Sequence, residues 1–282
     1  MLDSKTRRKI VEFVHAKPRT IQEISHYLGN NWRTADRYVS RISEEEGTIT
    51  TRVFREGSRG ALKLVYYQNI EKISSTAFQE RVIQQILTGR KKEDFSPIDI
   101  YQYVDEDKRD GFFEIMKTEK ATQNQKFGKL FGKAEKQLFF FSGNLSWVHL
   151  TQKGNNFIQI LKETAERGIN VKIICRVDIA SIKNIQKVLA INEELGRDAI
   201  EIRHVEQPLR CILIDNSLSR FKETKTPSMY QPGELDKKTY LFYNVYDVEW
   251  NEWLEKLFWN LFSKATHLKK RLSAIESIKE LK

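Results

Sequence analysis

The chain has 282 residues, 40% apolar and 30% charged, with 48 Lys and Arg against 38 Asp and Glu. That make-up excludes a disordered chain, and the length predicts two folded units with a connector. No apolar run approaches the roughly 20 residues of a membrane span, the polar opening Met-Leu-Asp-Ser-Lys-Thr-Arg-Arg predicts no signal peptide, and the cationic balance fits a polyanionic partner.

Residues 5 to 67 read as three helices and a two-stranded ribbon. Ile10, Val11, Phe13 and Val14 make the apolar stripe of a first helix from Ser4 to His15, stopped by Lys17-Pro18. Thr20 caps a second helix in the spacing Thr20-x-x-Glu23, with Ile21, Ile24 and Leu28 inward and Gly29 at the turn. The third runs from Asn31 to Glu46 with Ala35, Tyr38, Val39 and Ile42 facing inward, so Arg33, Arg37 and Arg41 share the outer face. After Gly47, Thr48 to Phe54 and Ala61 to Tyr67 form a hairpin with a cationic, Gly-rich tip over residues 55 to 60.

That order is how a winged helix-turn-helix presents cations to a DNA duplex. Residues 1 to 69 hold thirteen Lys and Arg against eight Asp and Glu, about half of the net +10 in a quarter of the length. The predicted DNA-contacting residues are Thr20, Asn30, Asn31, Trp32, Arg33, Thr34, Arg37, Arg41, Arg52, Arg55, Arg59 and Lys63. Arg33 and Arg37 have the fork for guanine O6 and N7. Asn30, Asn31 and Thr34 suit base edges or phosphate, and Arg55, Arg59 and Lys63 suit phosphate or the minor groove. Trp32 reads first as a cover for the core and second as a contact to a sugar-phosphate strand. For the whole set, the alternatives are a solvated cationic face or a protein-docking module.

From Ile70 to Lys126 the chain is charged and helical in tone. Phe78, Val82, Ile83, Ile86 and Leu87 make a stripe ended by Thr88-Gly89, Ser96-Pro97 opens a second short helix, and residues 104 to 124 carry little pattern. A helix from Ala121 to Glu135 places Phe127, Leu130, Phe131 and Ala134 on one side, with Lys126, Lys129, Lys133 and Lys136 on another that reads first as a solvated face and second as a row that tracks phosphates. Beyond it, strands and helices alternate, an α/β signature. The strands are Gln137 to Phe141, Val171 to Val177, Ala199 to His204, Pro208 to Asp215 and Thr239 to Asn244; the helices are Asn155 to Arg167 and Ile179 to Leu195. Asn216 to Lys238 is a polar stretch, and the closing helix spaces Trp250, Trp253, Leu254, Leu257, Phe258, Leu261 and Phe262 as core or dimer interface. Cys175 and Cys211 sit in β-like apolar runs and read as buried thiols of a reducing cytoplasm. With no Walker loop, dinucleotide fingerprint or EF-hand loop, no cofactor or metal is expected.

This alternation, with Glu166-Arg-Gly-Ile-Asn-Val-Lys-Ile-Ile174 at a second-strand entry, resembles one half of the phospholipase D fold. Active members carry His-x-Lys-x4-Asp on a strand: the His attacks phosphorus, the Lys grips phosphoryl oxygens and the Asp orients the pair. Counting back from Asp215 puts Pro208 at the nucleophile and Arg210 at the Lys, and proline has no nucleophile. The pairs His15/Lys17 and His267/Lys269 lead to Gln22 and Ala274 instead of an acid and read as chance, while His204 reads first as a structural histidine at a strand end and second as a group acting from a neighbouring position.

A winged helix joined through helices to a phospholipase D-like domain without its histidine is similar to the TrmB group of archaeal transcription regulators. The resemblance implies a cytoplasmic, chromosome-associated homodimer that binds double-stranded operator DNA and does no chemistry. Its second domain would dimerise or take a sugar-type effector. Some relatives coat DNA as chromatin proteins, so a non-specific architectural protein is one alternative; a phospholipase D-type nuclease or phosphodiesterase with an unconventional site is the other. The expected architecture is multi-domain α/β: winged helix 1–68, helical connector 69–136, phospholipase D-like α/β domain 137–266 and a basic C-terminal helix 267–282.

Overall fold

The computed structural model describes residues 2–46, 48–55, 61–67, 75–115, 126–152, 155–231 and 235–280. They form two compact units that interleave along the chain. One comprises Met1–Arg81, Gly111–Met116 and Thr224–Phe242; the other comprises Val82–Asp110, Lys117–Glu223 and Tyr243–Lys282.

The first unit begins with α1 (Ser4–Ala16), whose N-cap Asp3 accepts from the Thr6 N–H at 2.6 Å. Lys17, extended before Pro18, ends it. After β1 (Arg19–Thr20) comes α2 (Ile21–Leu28), opened by the predicted capping box: the Glu23 N–H donates to Thr20 Oγ1 at 3.2 Å, and the Thr20 N–H donates to Glu23 Oε2 at 2.8 Å. Gly29 at φ +65° turns the chain into α3 (Trp32–Glu46), a conformation that costs other L-residues but not glycine. The hairpin strands β2 (Ile49–Arg55) and β3 (Ala61–Tyr67) pair in register from Ile49↔Tyr67 to Arg55↔Ala61. β1 adds antiparallel to the free edge of β3, a pairing too short to read from sequence. Ile10, Ile24, Ala35, Val39, Ile42 and Val65 centre the core, as the stripes predict.

Further along, α4 (Ser75–Thr88) buries Phe78, Val82 and Ile86 at four-residue spacing and ends at Gly89. Leu87, assigned to that stripe, is exposed, because one residue turns a helix by about 100°. α5 (Ile98–Tyr101) follows Ser96-Pro97 as expected. β4 (Arg109–Ile115) then falls in the stretch that carried little pattern. α6 (Phe127–Phe131) is shorter than predicted; residues 121 to 125 of that helix lie outside the described residues.

The second unit continues through β5 (Gln137–Phe141), a two-strand ladder of β6 (Thr151–Gln152) and β7 (Asn155–Asn156), α7 (Phe157–Glu166), β8 (Asn170–Cys175), α8 (Ile182–Leu195), β9 (Ile200–His204) and β10 (Cys211–Ile214). Along the chain then come β11 (Leu218–Lys225) and β12 (Thr239–Val245), whose residues from Thr224 to Phe242 are counted with the first unit, followed by α9 (Val248–Lys264), β13 (Thr266–His267) and α10 (Leu268–Glu280) of the second. The strand order in the main sheet is β13-β9-β8-β5-β10-β11-β12-β4. β5, β8 and β9 run parallel, and β10 is antiparallel to both β5 and β11. Phe140, Leu161, Val171, Ile173, Val188 and Ile202 lie in the core on the side of α7 and α8.

Two expectations are corrected here, and one is narrowed. The polar stretch 216–238 contains an eight-residue strand, β11. The span 69–136 is not a separate helical layer, since β4 belongs to the main sheet and Phe127, Leu130 and Phe131 of α6 join the core of the second unit. The aromatic stripe of α9 is core: Phe258 stacks on Phe139 of β5 at 4.4 Å, and Trp253 alone of the predicted set is only half-buried. Cys175 and Cys211 are free and buried, and desolvation pushes the Cys175 thiol up to about 12 and raises that of Cys211 well above its ordinary value. No described helix is long and apolar enough to cross a membrane.

Candidate functional site

The turn into α3 is held from within. Ser25 Oγ donates to the Asn30 carbonyl at 2.6 Å, and the Asn30 N–H returns to the Ser25 carbonyl at 3.0 Å. Asn31 then caps α3, its Oδ1 accepting from the Thr34 N–H at 2.9 Å. With its backbone pinned, the start of the helix exposes Asn30, Asn31, Trp32, Arg33 and Arg37 together, with Thr34 half-buried beside them. Trp32 is 52% exposed, which overturns its first reading as a core cover. The Arg33 guanidinium lies 5.6 Å from its ring centroid. Among the described residues neither Arg33 nor Arg37 has a carboxylate within ion-pair distance.

Several other cations of this unit are engaged. Arg41 pairs with Glu45 at 2.5 Å, and Arg7 pairs with both Glu45 and Glu46. The Arg41 and Arg7 guanidinia hold Glu45 below the usual carboxylate range. Lys63 of β3 reaches across to Asp36 of α3 at 2.7 Å, which ties the ribbon to the helix and engages the charge Lys63 could offer a phosphate. Arg52 is half-buried on β2 and has an interaction of its own. The side chain of Arg55, and all of Arg59, lie outside the described residues. Thr20 is 0% exposed with its hydroxyl in the capping box, so the structure removes it from the contacting set.

In the second unit, topology gathers a different group. Because β5, β8 and β9 are parallel, their carboxyl ends meet at one edge of the sheet: Ser142 and Gly143, Arg176 and Asp178, and His204 to Gln207. β10 is antiparallel to β5, so Arg210, just before its first residue, arrives at the same edge. Arg210 Nη1 donates to the carbonyls of Leu209 at 2.7 Å and Gln207 at 3.2 Å. Its guanidinium lies flat over Gly143: a Cβ there would sit 2.7 to 3.0 Å from Nη2, Cζ and Nε alike. Burial and the neighbouring Arg176 push this guanidinium down to about 10.

Pro208 packs instead against Gly89, where a Cβ would meet its ring at 2.9 Å. Asp215 sits at the far end of β10 with φ +47°, and its carboxylate accepts the backbone N–H groups of Glu135, Lys136 and Gln137 at 2.9, 3.0 and 2.8 Å. The three residues matched to a catalytic motif therefore do not converge: Asp215 clamps the entry to β5, four residues of strand away from Arg210. His204 Nδ1 accepts from the Val177 N–H at 2.9 Å, and burial with the Arg271 charge holds its pKa low, as a structural imidazole requires. Among the described residues no three His, Cys, Asp or Glu side chains are placed to hold a metal ion.

Sequence reasoning missed Gly143, Arg176 and Gln207. The available signal was positional, since each follows the end of one of the three parallel strands, where ligand sites of α/β folds gather.

Neither a protein-family model nor a curated protein matches the chain. Among solved structures it is similar to TrmBL2, an archaeal chromatin protein described with a novel mode of DNA binding, at 13% identity over 93% of this chain and 94% of that one, with a TM-score of 0.39. It is also similar to the phospholipase D family member Nuc from Salmonella typhimurium, at 10% identity over 56% and 97% of the two chains with a TM-score of 0.39. A third is NucT from Helicobacter pylori, at 12% identity over 57% and 99% with a TM-score of 0.37. Likeness at these TM-scores carries no weight for function, which rests on the side chains.

Proposed function

We propose that the chain is a double-stranded-DNA-binding transcription regulator. Its first unit acts as a winged helix-turn-helix, and its second is a phospholipase D-like α/β domain that does no chemistry and serves assembly or sensing. One observation carries the reading: Arg7, Arg41 and Lys63 are neutralised by acids, whereas Arg33 and Arg37 stand exposed and unpaired among the described residues at the start of α3. A major groove accepts that end of a recognition helix, and two guanidinium forks one helical turn apart suit successive guanines. Trp32, exposed beside them, suits a thymine methyl group or a sugar.

Two copies spaced by one turn of DNA would read a palindrome, so a homodimer on the chromosome follows from this reading. Non-catalysis is supported by Pro208, which brings no nucleophile, and by Asp215, whose carboxylate is occupied by three N–H donors.

Selection of bound sequences from random duplex DNA at physiological salt tests the proposal. A recovered inverted repeat is the expected result, with affinity falling on a log-log salt plot by about 0.9 per phosphate neutralised. Cooperative coating without sequence preference would replace the regulator by an architectural protein. Absence of binding even in dilute buffer would overturn DNA recognition altogether.

A further inference from the structure

We propose that the edge of the second unit formed by the ends of β5 and β8 and the start of β10 binds the oxyanion group of a small metabolite, a phosphate monoester or a carboxylate, on the Nε/Nη2 edge of Arg210 with Arg176 as a second cation. Nε–H and the adjacent Nη2–H of an arginine point the same way and form the fork that takes two oxygens of a planar or tetrahedral anion. Among the described residues that edge of Arg210 has no protein acceptor, since Nη1 alone is bonded, to the Leu209 and Gln207 carbonyls. Neither Nε nor Nη2 is among the buried atoms without a partner, so both keep access to solvent.

The arginine is also aimed. Two carbonyls hold Nη1, Gly143 supports the guanidinium face, and no described carboxylate lies within ion-pair distance of it. Arg176 follows the end of the neighbouring strand, with its backbone N–H donating to the Gly143 carbonyl at 2.8 Å and its Nε bonded to Asp178 at 2.8 Å. Burial first and the charge of Arg176 second lower the pKa of Arg210, against an opposite effect of Glu93, and because Arg176 is itself paired with Asp178 the free fork is that of Arg210. Gln207, 3% exposed, gives its amide to the Ser142 carbonyl at 2.9 Å and leaves Oε1 without a donor. An acceptor there suits a hydroxyl of the same ligand or a water beside it. A metabolite fits better than a DNA backbone because one fork, backed by a single further cation, matches one anionic group.

Calorimetric titration of the full chain, without DNA, with inorganic phosphate, glucose 6-phosphate, citrate and uncharged glucose tests this. Saturable binding of a phosphate or carboxylate probe, absent with glucose, is expected. It should weaken about tenfold or more in Arg210→Gln and less in Arg176→Gln. Gly143→Ala keeps every charge and displaces only the guanidinium, so it should weaken binding while leaving the thermal transition in place. That variant decides the matter should Arg210→Gln fail to fold. No saturable binding of any anionic probe, or binding unchanged in Gly143→Ala and Arg176→Gln, overturns the site. Equal loss of duplex affinity in Arg210→Gln and in Arg37→Ala would reassign Arg210 to a DNA phosphate and overturn the metabolite. The measurement is independent of whether the first unit binds DNA.

Discussion

A side chain's availability is set by what its neighbours leave undone, and the arginines of α3 show this in one helix. Arg41 points the same way as Arg37 but meets Glu45, one turn on, so its charge is spent locally. Arg37→Ala should therefore cost about 1–3 kcal/mol of affinity on a selected site and less on random DNA. Arg41→Ala should cost under about 1 kcal/mol on both, in parallel fluorescence-anisotropy titrations. Equal losses for Arg37→Ala on the two DNAs would remove base reading from its role. Asp215 makes a similar point for stability. Three backbone donors converge on its carboxylate, so Asp215→Ala should destabilise the second unit by about 2–3 kcal/mol in urea unfolding. Asp215→Asn, which tolerates the left-handed backbone and keeps one acceptor oxygen, should lose about half of that.

At the scale of elements, what could be read from the sequence follows the strength of local chemistry. The capping box at Thr20, the left-handed turn at Gly29 and the four- and three-residue spacing of Ala35, Val39 and Ile42 each act within one helix, and each is found where expected. β11 was hidden because Leu218-Ser-Arg-Phe-Lys-Glu-Thr-Lys225 is polar: its place comes from the tight turn at Asp215 that folds it onto β10. β4 was hidden by Gly111, which weakens a strand signal but lets the Phe54 ring lie against the backbone; a Cβ there would fall 2.4 Å from it. The Arg210 fork was unreadable for another reason, since it depends on Gly143, sixty-seven positions earlier, meeting it across a strand pair. His204 adds a pH dependence to the carboxyl edge of β9. Its folded pKa lies below the ordinary 6.5 because burial and Arg271 oppose its charge, against smaller opposite effects of Glu206, the Cys175 backbone and Asp178. The native state thus binds fewer protons there than the unfolded chain. The stability from the neutral ring is complete above 6.5 and declines as the pH falls below it through the folded pKa. Urea midpoints between about pH 7.5 and 5 should fall for the parent and fall less for His204→Gln; parallel slopes would remove His204 as the source.

For the whole molecule, the interleaving of the two units matters more than either boundary drawn along the chain. The unit that carries α3 also includes Gly111–Met116 and Thr224–Phe242, so a fragment cut after the ribbon is not that unit. Two contacts inside it show what such a cut removes. Lys225, at the end of β11, is 1% exposed and places Nζ 3.6 Å from the buried Glu23 of α2, the residue that closes the capping box ahead of the α3 turn. Gly111 supports Phe54 of β2, the strand that forms one side of the ribbon. Removing a partner from a buried pair costs about 3–5 kcal/mol where the remaining charge stays buried, and water reaching Glu23 in a fragment would recover part of that. Residues 1–81 alone should accordingly melt more than about 10 °C below the corresponding transition of the full chain by circular dichroism, with duplex affinity reduced in step with the folded fraction. Glu23→Gln in the full chain should move the same transition in the same direction, since it leaves Lys225 without that carboxylate. A fragment as stable as the parent would show that the strands of the main sheet contribute nothing to the presentation of α3, and that this helix stands on its own local chemistry.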